Sequence, residues 1–419
     1  MRWGLDLLYW LVLLTTAPLW VGRMIATGKI RTDWRGRLGG ALRPAADVRP
    51  RVLIHAVSVG EVNAARLLVE RLAALRLAPS LIVSTTTNTG FARASALFGG
   101  RFQVVRYPFD FSWAVSRFLN AVQPHVVVLM ELEVWPNFMA ECRRRSIEVC
   151  VVNGRLTERS LRRYRWVRFA IRRSFERLRL AAVQSEAYAS RFVELGVSPG
   201  RVRVCGTMKW DTAEIADDVV GASALAESMG IDRTRPLIVA GSTAPDEHAM
   251  LAAAAPPGVQ LLCAPRKPEW FEQAACDLPG CARRSVGDCG SATGRFLLDT
   301  IGELRQAYAL ADLVVVGRSF GALHGSDMME PVALGKATIV GPAVADFQDV
   351  VDALLAGDGL VQTSRDGLAD VCRKLLADPV RCRALAANGR EVIRSQQGAT
   401  DRHVALIAPH IAEAASAQP

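Results

Sequence analysis

Six stretches of this chain carry the residue types from which chemistry is built. In His55 to Ala65, HAVSVGEVNAA, a small-residue turn leads into a helical pattern. Gly60 lets a backbone or substrate come close, and the Glu61 carboxylate enters the first helical turn, where the helix dipole favours it. In MELEVWPN, Glu131 and Glu133 close an apolar run, VVVLM, where two acids without partners are costly. The hydroxyl-rich STTTNTG suits helix capping or a polar ligand. In APRKPEW, Arg266 and Lys267 suit an anion, and in DTIGELRQAYALAD, Asp299 and Thr300 suit helix caps with backbone N–H groups open to a phosphate. The Gly-rich GRSFGALHGSDMMEP, 317–331, opens a helix at Met328 to Leu334 but lacks the P-loop lysine and the dinucleotide spacing. No DxD-like metal motif stands in a plausible place, so no metal and no other cofactor is expected.

These residues fall where strands should end. Apolar runs at 51–58, 80–87, 102–110, 125–133, 148–155, 180–185 and 201–206 alternate with helical stretches, the signature of a parallel sheet covered on both faces. The acidic, weakly apolar 211–236 breaks the rhythm, and a second series follows at 237–243, 259–266, 295–300, 311–319, 337–342 and 359–363. Two doubly wound α/β domains are expected: 31–210, then 211–419 with C-terminal helices interrupted at Pro379 and Gly389, after a membrane segment at 1–30. Open parallel sheets bind ligands at the carboxyl ends of their strands. Ser58, Gly60 and Glu61 follow the first strand, Thr86 and Asn88 the second, and Glu131 the fourth.

Trp3 to Gly22 carries one acid and no base over a length near that of a bilayer span, and a retained anchor is expected. Asp6 and Pro18 leave a shallow insertion open. Arg23, Lys29, Arg31, Arg35 and Arg37 behind it mark the cytoplasmic side. The formal charge of +10 favours an anionic partner. Nine arginines between Arg159 and Arg179 interleave with apolar residues, a surface suited to anionic lipid head groups more than to nucleic acid. Nine cysteines without a CxxC pair read as free thiols.

Taken in order, GKIRTDWRGRLGG, HAVSVGEVNAA, STTTNTG, ELEVWPN, NGRLTERS, YASRFVELGV, VCGTMKWD, AGSTAPDEH, APRKPE, DTIGELRQAYALAD, MMEPVALGKATIVGP and DFQDV resemble the 3-deoxy-D-manno-octulosonic acid (Kdo) transferases, which add Kdo to the lipid A precursor of lipopolysaccharide. The resemblance runs from about residue 28 to 349. It implies a GT-B fold with an interdomain cleft, and inverting transfer from CMP-Kdo to lipid IVA or a related phosphorylated glycolipid at the cytoplasmic face of the inner membrane. It implies Glu61 as general base and Glu131 and Lys209 as supports of the transition state. Contacts to cytidine monophosphate would fall to Pro265, Arg266, Ile301, Gly302, Glu303, Asp327, Met328, Met329 and Glu330. Ser58, Gly60, Thr86 and Asn88 would stand on the acceptor side. A monophosphate leaving group lets arginine and a helix N-terminus replace a metal.

The donor half departs from the family. Where the family has a second glycine and a His-Asn pair, this chain has Arg318 and Ser326-Asp327, with His324 two residues early. Three alternatives stay open: a transferase of a related CMP-linked 2-keto sugar, a GT-B nucleotide-sugar epimerase, and a non-catalytic lipid-binding descendant.

Overall fold

The computed structural model describes residues 2–26, 32–41 and 49–416, so Lys29 and Arg31 lie outside the described residues. The chain forms two compact units, Met1–Thr212 with Gln397–Pro419, and Ala213–Gln396.

In the first unit, strands β1 (Arg51–His55), β2 (Ser80–Thr85), β3 (Gln103–Arg106), β4 (Val126–Met130), β5 (Glu148–Gly154), β6 (Leu180–Val183) and β7 (Val202–Val204) form one parallel sheet ordered β3-β2-β1-β4-β5-β6-β7. Its helices are α1 (Arg2–Ala26), α2 (Trp34–Arg37), α3 (Val59–Ala73), α4 (Asn88–Phe98), α5 (Ser112–Val122), α6 (Pro136–Arg144), α7 (Glu158–Trp166), α8 (Arg168–Phe175) and α9 (Glu186–Leu195). Successive strand residues point to opposite faces. Leu53, Val127 and Val151 therefore pack with Phe118, Phe138, Phe175 and Phe192, while Ile54, Val128 and Val152 pack with Leu68, Phe98, Ile407 and Ile411. Burial on both faces explains why the strands read as continuous apolar runs.

The second unit repeats the plan with β8 (Leu237–Thr243), β9 (Gln260–Pro265), β10 (Ala282–Arg283), β11 (Arg295–Leu297), β12 (Leu313–Val316), β13 (Ala337–Val340) and β14 (Val361–Gln362), ordered β10-β11-β9-β8-β12-β13-β14 and parallel throughout. Its helices are α10 (Ala222–Met229), α11 (His248–Ala254), α12 (Phe271–Asp277), α13 (Leu304–Leu310), α14 (Met329–Ala333), α15 (Gln348–Ala356), α16 (Leu368–Ala377) and α17 (Pro379–Gln396).

Two expectations for the C-terminal region need correction. The second domain does not run to 419, because α18 (Ala399–Ser416) belongs to the first unit. Its stripe of His403, Ile407 and Ile411 is buried there, and the Asp211 carboxylate fixes its start by accepting the N–H groups of Gly398 (2.7 Å) and Thr400 (2.5 Å). Nor does Gly389 interrupt a helix: α17 runs through it with Pro379 as its first residue. A side chain at Gly389 would strike the Gly359 carbonyl and Val332, so the glycine serves close packing.

Candidate functional site

The strand order reverses at the centre of each sheet, between β1 and β4 and between β8 and β12. Those switch points are where open parallel sheets make crevices for ligands.

In the first unit, Ser58 caps α3, its hydroxyl accepting the Glu61 N–H at 3.4 Å. The Glu61 carboxylate folds back, accepting the Val57 N–H (2.9 Å) and the Ser58 hydroxyl (3.1 Å). Burial is the main cause that pushes Glu61 up to about 7, and the charges of Glu131 and Glu133 add to it against these hydrogen bonds. Gly60 leaves open space where a side chain would stand, with only the Ser58 hydroxyl near.

Glu131, at the end of β4, holds a left-handed backbone (φ 56°), and so does Asn153 (φ 50°) in the neighbouring β5. Such strain gathers at functional sites. Burial raises the Glu131 pKa, while Arg155 and Lys209 pull it down. Asn153 accepts the Met208 N–H (3.1 Å), holding the segment that carries Lys209, and donates its own N–H to His403 of α18 (2.9 Å). Glu61, Glu131 and Lys209, with 148 positions from the first to the last, thus share one electrostatic environment.

Glu133 joins them, although its role was open in the sequence. It accepts the Trp135 indole N–H at 2.7 Å, and its carboxylate stands 4.0 Å from His55 Nε2. Full burial lowers His55 to about 3, so its imidazole is neutral, stacked on Tyr107 at 3.7 Å. Nothing local in the sequence marked that pair.

At the end of β2, Thr87 caps α4 and donates to the Val57 carbonyl (3.0 Å), which ties this loop to the Glu61 turn. Thr86 and Asn88 flank it: the Thr86 carbonyl accepts from Arg37 (2.5 Å), and the Asn88 side chain accepts from Thr32 (3.1 Å). Arg37, read in the sequence only as charge behind the anchor, therefore stands beside the candidate acceptor loops, with Arg106 on the Thr87 carbonyl (2.9 Å).

In the second unit, Ser242 (φ 55°) and Arg318 (φ 58°) are left-handed at the ends of β8 and β12. Pro265 ends β9, and Arg266 is exposed just beyond it. Tyr308 lies buried against Gly241, where any side chain would collide with its ring. Burial, then Glu330 and Asp327, raises the Tyr308 phenol, so the 327–330 segment reaches this switch point. The Asp327 carboxylate accepts the Met329 N–H at 2.8 Å, and Met328 and Met329 are buried. Glu330 stands 3.7 Å from Arg305 of α13. Before that helix, Ile301 is exposed, Gly302 is left-handed (φ 103°), and Glu303 pairs with Arg284 (2.9 Å) and accepts the Thr300 hydroxyl (2.5 Å). Asp299 is not a cap: Arg283 (2.8 Å) and Ser285 (2.6 Å) hold its carboxylate, and no side chain caps α13.

Among the described residues, Glu148, His410 and Glu413 bring potential metal-ligating atoms together. They lie at the amino end of β5, away from the switch point, and Arg179 pairs with both acids (3.1 and 3.6 Å).

Residues 32–212 match the 3-deoxy-D-manno-octulosonic-acid transferase (kdotransferase) family. A 3-deoxy-D-manno-octulosonic acid transferase of Bordetella pertussis is 34% identical over 422 residues, covering 94% of this chain and 96% of that protein. This chain belongs to the Kdo transferase family. A second Kdo transferase, from Haemophilus influenzae, is 29% identical and covers 86% of this chain and 87% of its own. The fold is also that of UDP-GlcNAc 2-epimerase from Neisseria meningitidis, with TM-score 0.57 over 86% of this chain and 100% of that one at 11% identity. At that identity the likeness speaks for the fold alone. The GT-B-like pair of parallel-sheet units therefore stands, and the Kdo transferase relatives separate this chain from the epimerases.

Proposed function

We propose that this Kdo transferase moves Kdo from CMP-Kdo to the hydroxyl of a lipid A precursor such as lipid IVA, with inversion. The observation that carries the reading is the Glu61 carboxylate, raised to about 7 within reach of the fields of Glu131 and Glu133. A base whose pKa lies near neutral pH takes a proton most effectively. Glu61 removes the acceptor hydroxyl proton as that oxygen bonds to the anomeric carbon. The bond from that carbon to the phosphate oxygen breaks with its electron pair on cytidine monophosphate. Glu131 supports positive charge growing on the sugar, and Lys209 offsets negative charge on the leaving phosphate. Arg266, the 301–303 segment and the 327–330 segment hold the nucleotide, while Ser58, Gly60, Thr86 and Asn88 line the acceptor side.

The apolar α1 supports membrane attachment: Gly4–Ile25 is long and apolar enough to cross a bilayer by length and composition. Together with the arginine-rich 155–185 region, it keeps the enzyme beside its lipid acceptor, at the cytoplasmic face of the inner membrane.

The test is transfer of labelled sugar from CMP-Kdo to lipid IVA in detergent without divalent metal, beside Glu61→Ala. Product from the wild type and none from the folded variant is expected. Release of cytidine monophosphate without lipid product, or turnover of another CMP-sugar, would overturn the donor and acceptor assignment while leaving the family in place.

A further inference from the structure

Helix α1 is tied to the first unit at its beginning, and the chain is tied to the same unit again just beyond its end. Near the start, the Asp6 carboxylate accepts the Ser112 N–H (3.0 Å), the Ser112 hydroxyl and the Asn137 amide (2.9 Å), while the Tyr9 hydroxyl donates to Asp110 (3.0 Å). Asp110 in turn accepts the N–H groups of Asn137 (3.0 Å) and Phe138 (2.8 Å) at the start of α6. Beyond the helix, Thr32 bonds Asn88, Arg37 bonds the Thr86 carbonyl, and the Trp34 ring lies 6.3 Å from that of Phe109, the neighbour of Asp110.

A helix crossing a bilayer once leaves its ends on opposite sides. From Ala26 to Thr32 the chain can cover at most about 22 Å at full extension, too little to recross a hydrocarbon core of about 30 Å. With Asp6 and Thr32 both bonded to one globular unit, α1 cannot span. Its exposure pattern fits a helix lying flat. The less exposed positions, Asp6, Tyr9, Leu13, Ala17, Trp20 and Met24, recur every three or four residues, and the opposite stripe, with Leu7, Leu11, Leu14, Leu19 and Ile25, is more than half exposed.

A second apolar point belongs to the same helical layer, in which α1 packs on α5, α5 on α6, and α6 on α8. Where α7 meets α8, all five residues from Arg165 to Phe169 are exposed, Trp166 and Phe169 at 86% each. The corner is firmly seated, because Leu161, Ile171 and Phe175 on either side of it are buried in the core. Exposed Arg162, Arg163, Arg172 and Arg173 surround it. Aromatic tips ringed by arginine match an interface whose head groups are anionic. Two residues before Trp166, Tyr164 is close enough to Glu133 for that carboxylate to raise the phenol beyond the effect of burial, so the corner adjoins the candidate acid cluster.

We infer that the first unit is monotopic: α1 lies in one leaflet of an anionic bilayer without crossing it, and the Trp166–Phe169 corner enters the same leaflet. This rests on the reading of the unit as membrane-attached and not on the identity of the sugar.

Two measurements on the full chain in sealed phosphatidylethanolamine and phosphatidylglycerol vesicles test it. An N-terminal tag should be cut by added protease in the same vesicles in which a C-terminal tag is cut. An N-terminal tag protected until detergent is added overturns the flat helix. Brominated phosphatidylglycerol should quench a component of tryptophan fluorescence that Trp166→Phe removes, leaving the quenching due to the tryptophans of α1. Identical quenching in both proteins overturns the corner, and no quenching in either overturns the whole placement. Transfer in detergent is unaffected by any of these outcomes, which separates failure here from failure of the proposed reaction.

Discussion

The two units build the same turn after the first strand of their central pair and use it differently. In the first, Glu61 accepts one backbone N–H and one hydroxyl and keeps a half-buried carboxylate facing two other acids. In the second, Glu247 is fully buried, and its carboxylate accepts the N–H groups of Ala244 (2.9 Å), Arg318 (2.8 Å) and Phe320 (3.1 Å). A carboxylate saturated by backbone donors holds a loop in shape, whereas one left partly open and pushed up by burial can exchange a proton. The same residue type at a switch point is thus scaffold in one unit and candidate base in the other.

Matched substitutions should break this symmetry. Glu61→Gln keeps the shape of the turn and removes the base, so the transfer rate should fall by about 10³-fold with a melting temperature no lower than that of the wild type. Glu247→Ala should act through stability: three buried N–H groups lose their acceptor, and the second unit should lose about 3 kcal/mol, read as a lower denaturation midpoint. A large rate loss with unchanged stability in Glu247→Ala would show that both acids serve chemistry.

The pH dependence sharpens the contrast. Glu61 must be ionised to act, so kcat/KM should rise with pH through about 7. For stability the sign is opposite. Because the folded pKa is raised from 4.5 to about 7, the folded state holds more protons than the unfolded state between those values, and stability falls as pH rises across that window. Glu61→Gln should therefore gain stability relative to the wild type from pH 4.5 to 7. Glu133→Gln removes one like charge beside Glu61 and should move the activity midpoint down by roughly half a pH unit. A midpoint that stays in place would detach Glu133 from the base.

The strands of both sheets were legible because each is an apolar run cut off by small or polar residues, a pattern that burial on both faces forces. The exception, β10, is two residues of Ala282-Arg283 with no apolar signal, held by its partner β11. The core that helix α18 joins was not legible, because α18 packs with α3 and β5, far away in sequence. Asp6 is the sharpest case. Within its own stretch it reads as a charge out of place in a membrane segment, and only partners more than 100 residues away make it a docking group. The candidate acids could be named from their loops, but their mutual fields and the fold-back of Glu61 are products of the packed turn.

The smallest effect is expected at Arg318, where the resemblance to the family leads to an expectation of glycine. Its left-handed backbone (φ 58°) costs a non-glycine residue about 1–2 kcal/mol. Its N–H bonds Glu247, and its guanidinium donates to the Leu323 carbonyl (3.1 Å). Arg318→Gly relieves the strain and keeps the N–H, but it gives up the Leu323 bond and adds about 0.5–1 kcal/mol of unfolded-state freedom. The net should be a stabilisation of at most about 1 kcal/mol, read as a small rise in denaturation midpoint, with donor KM changed less than about threefold if the backbone of this loop is what matters. A donor KM that rises tenfold would mean that the guanidinium touches the nucleotide.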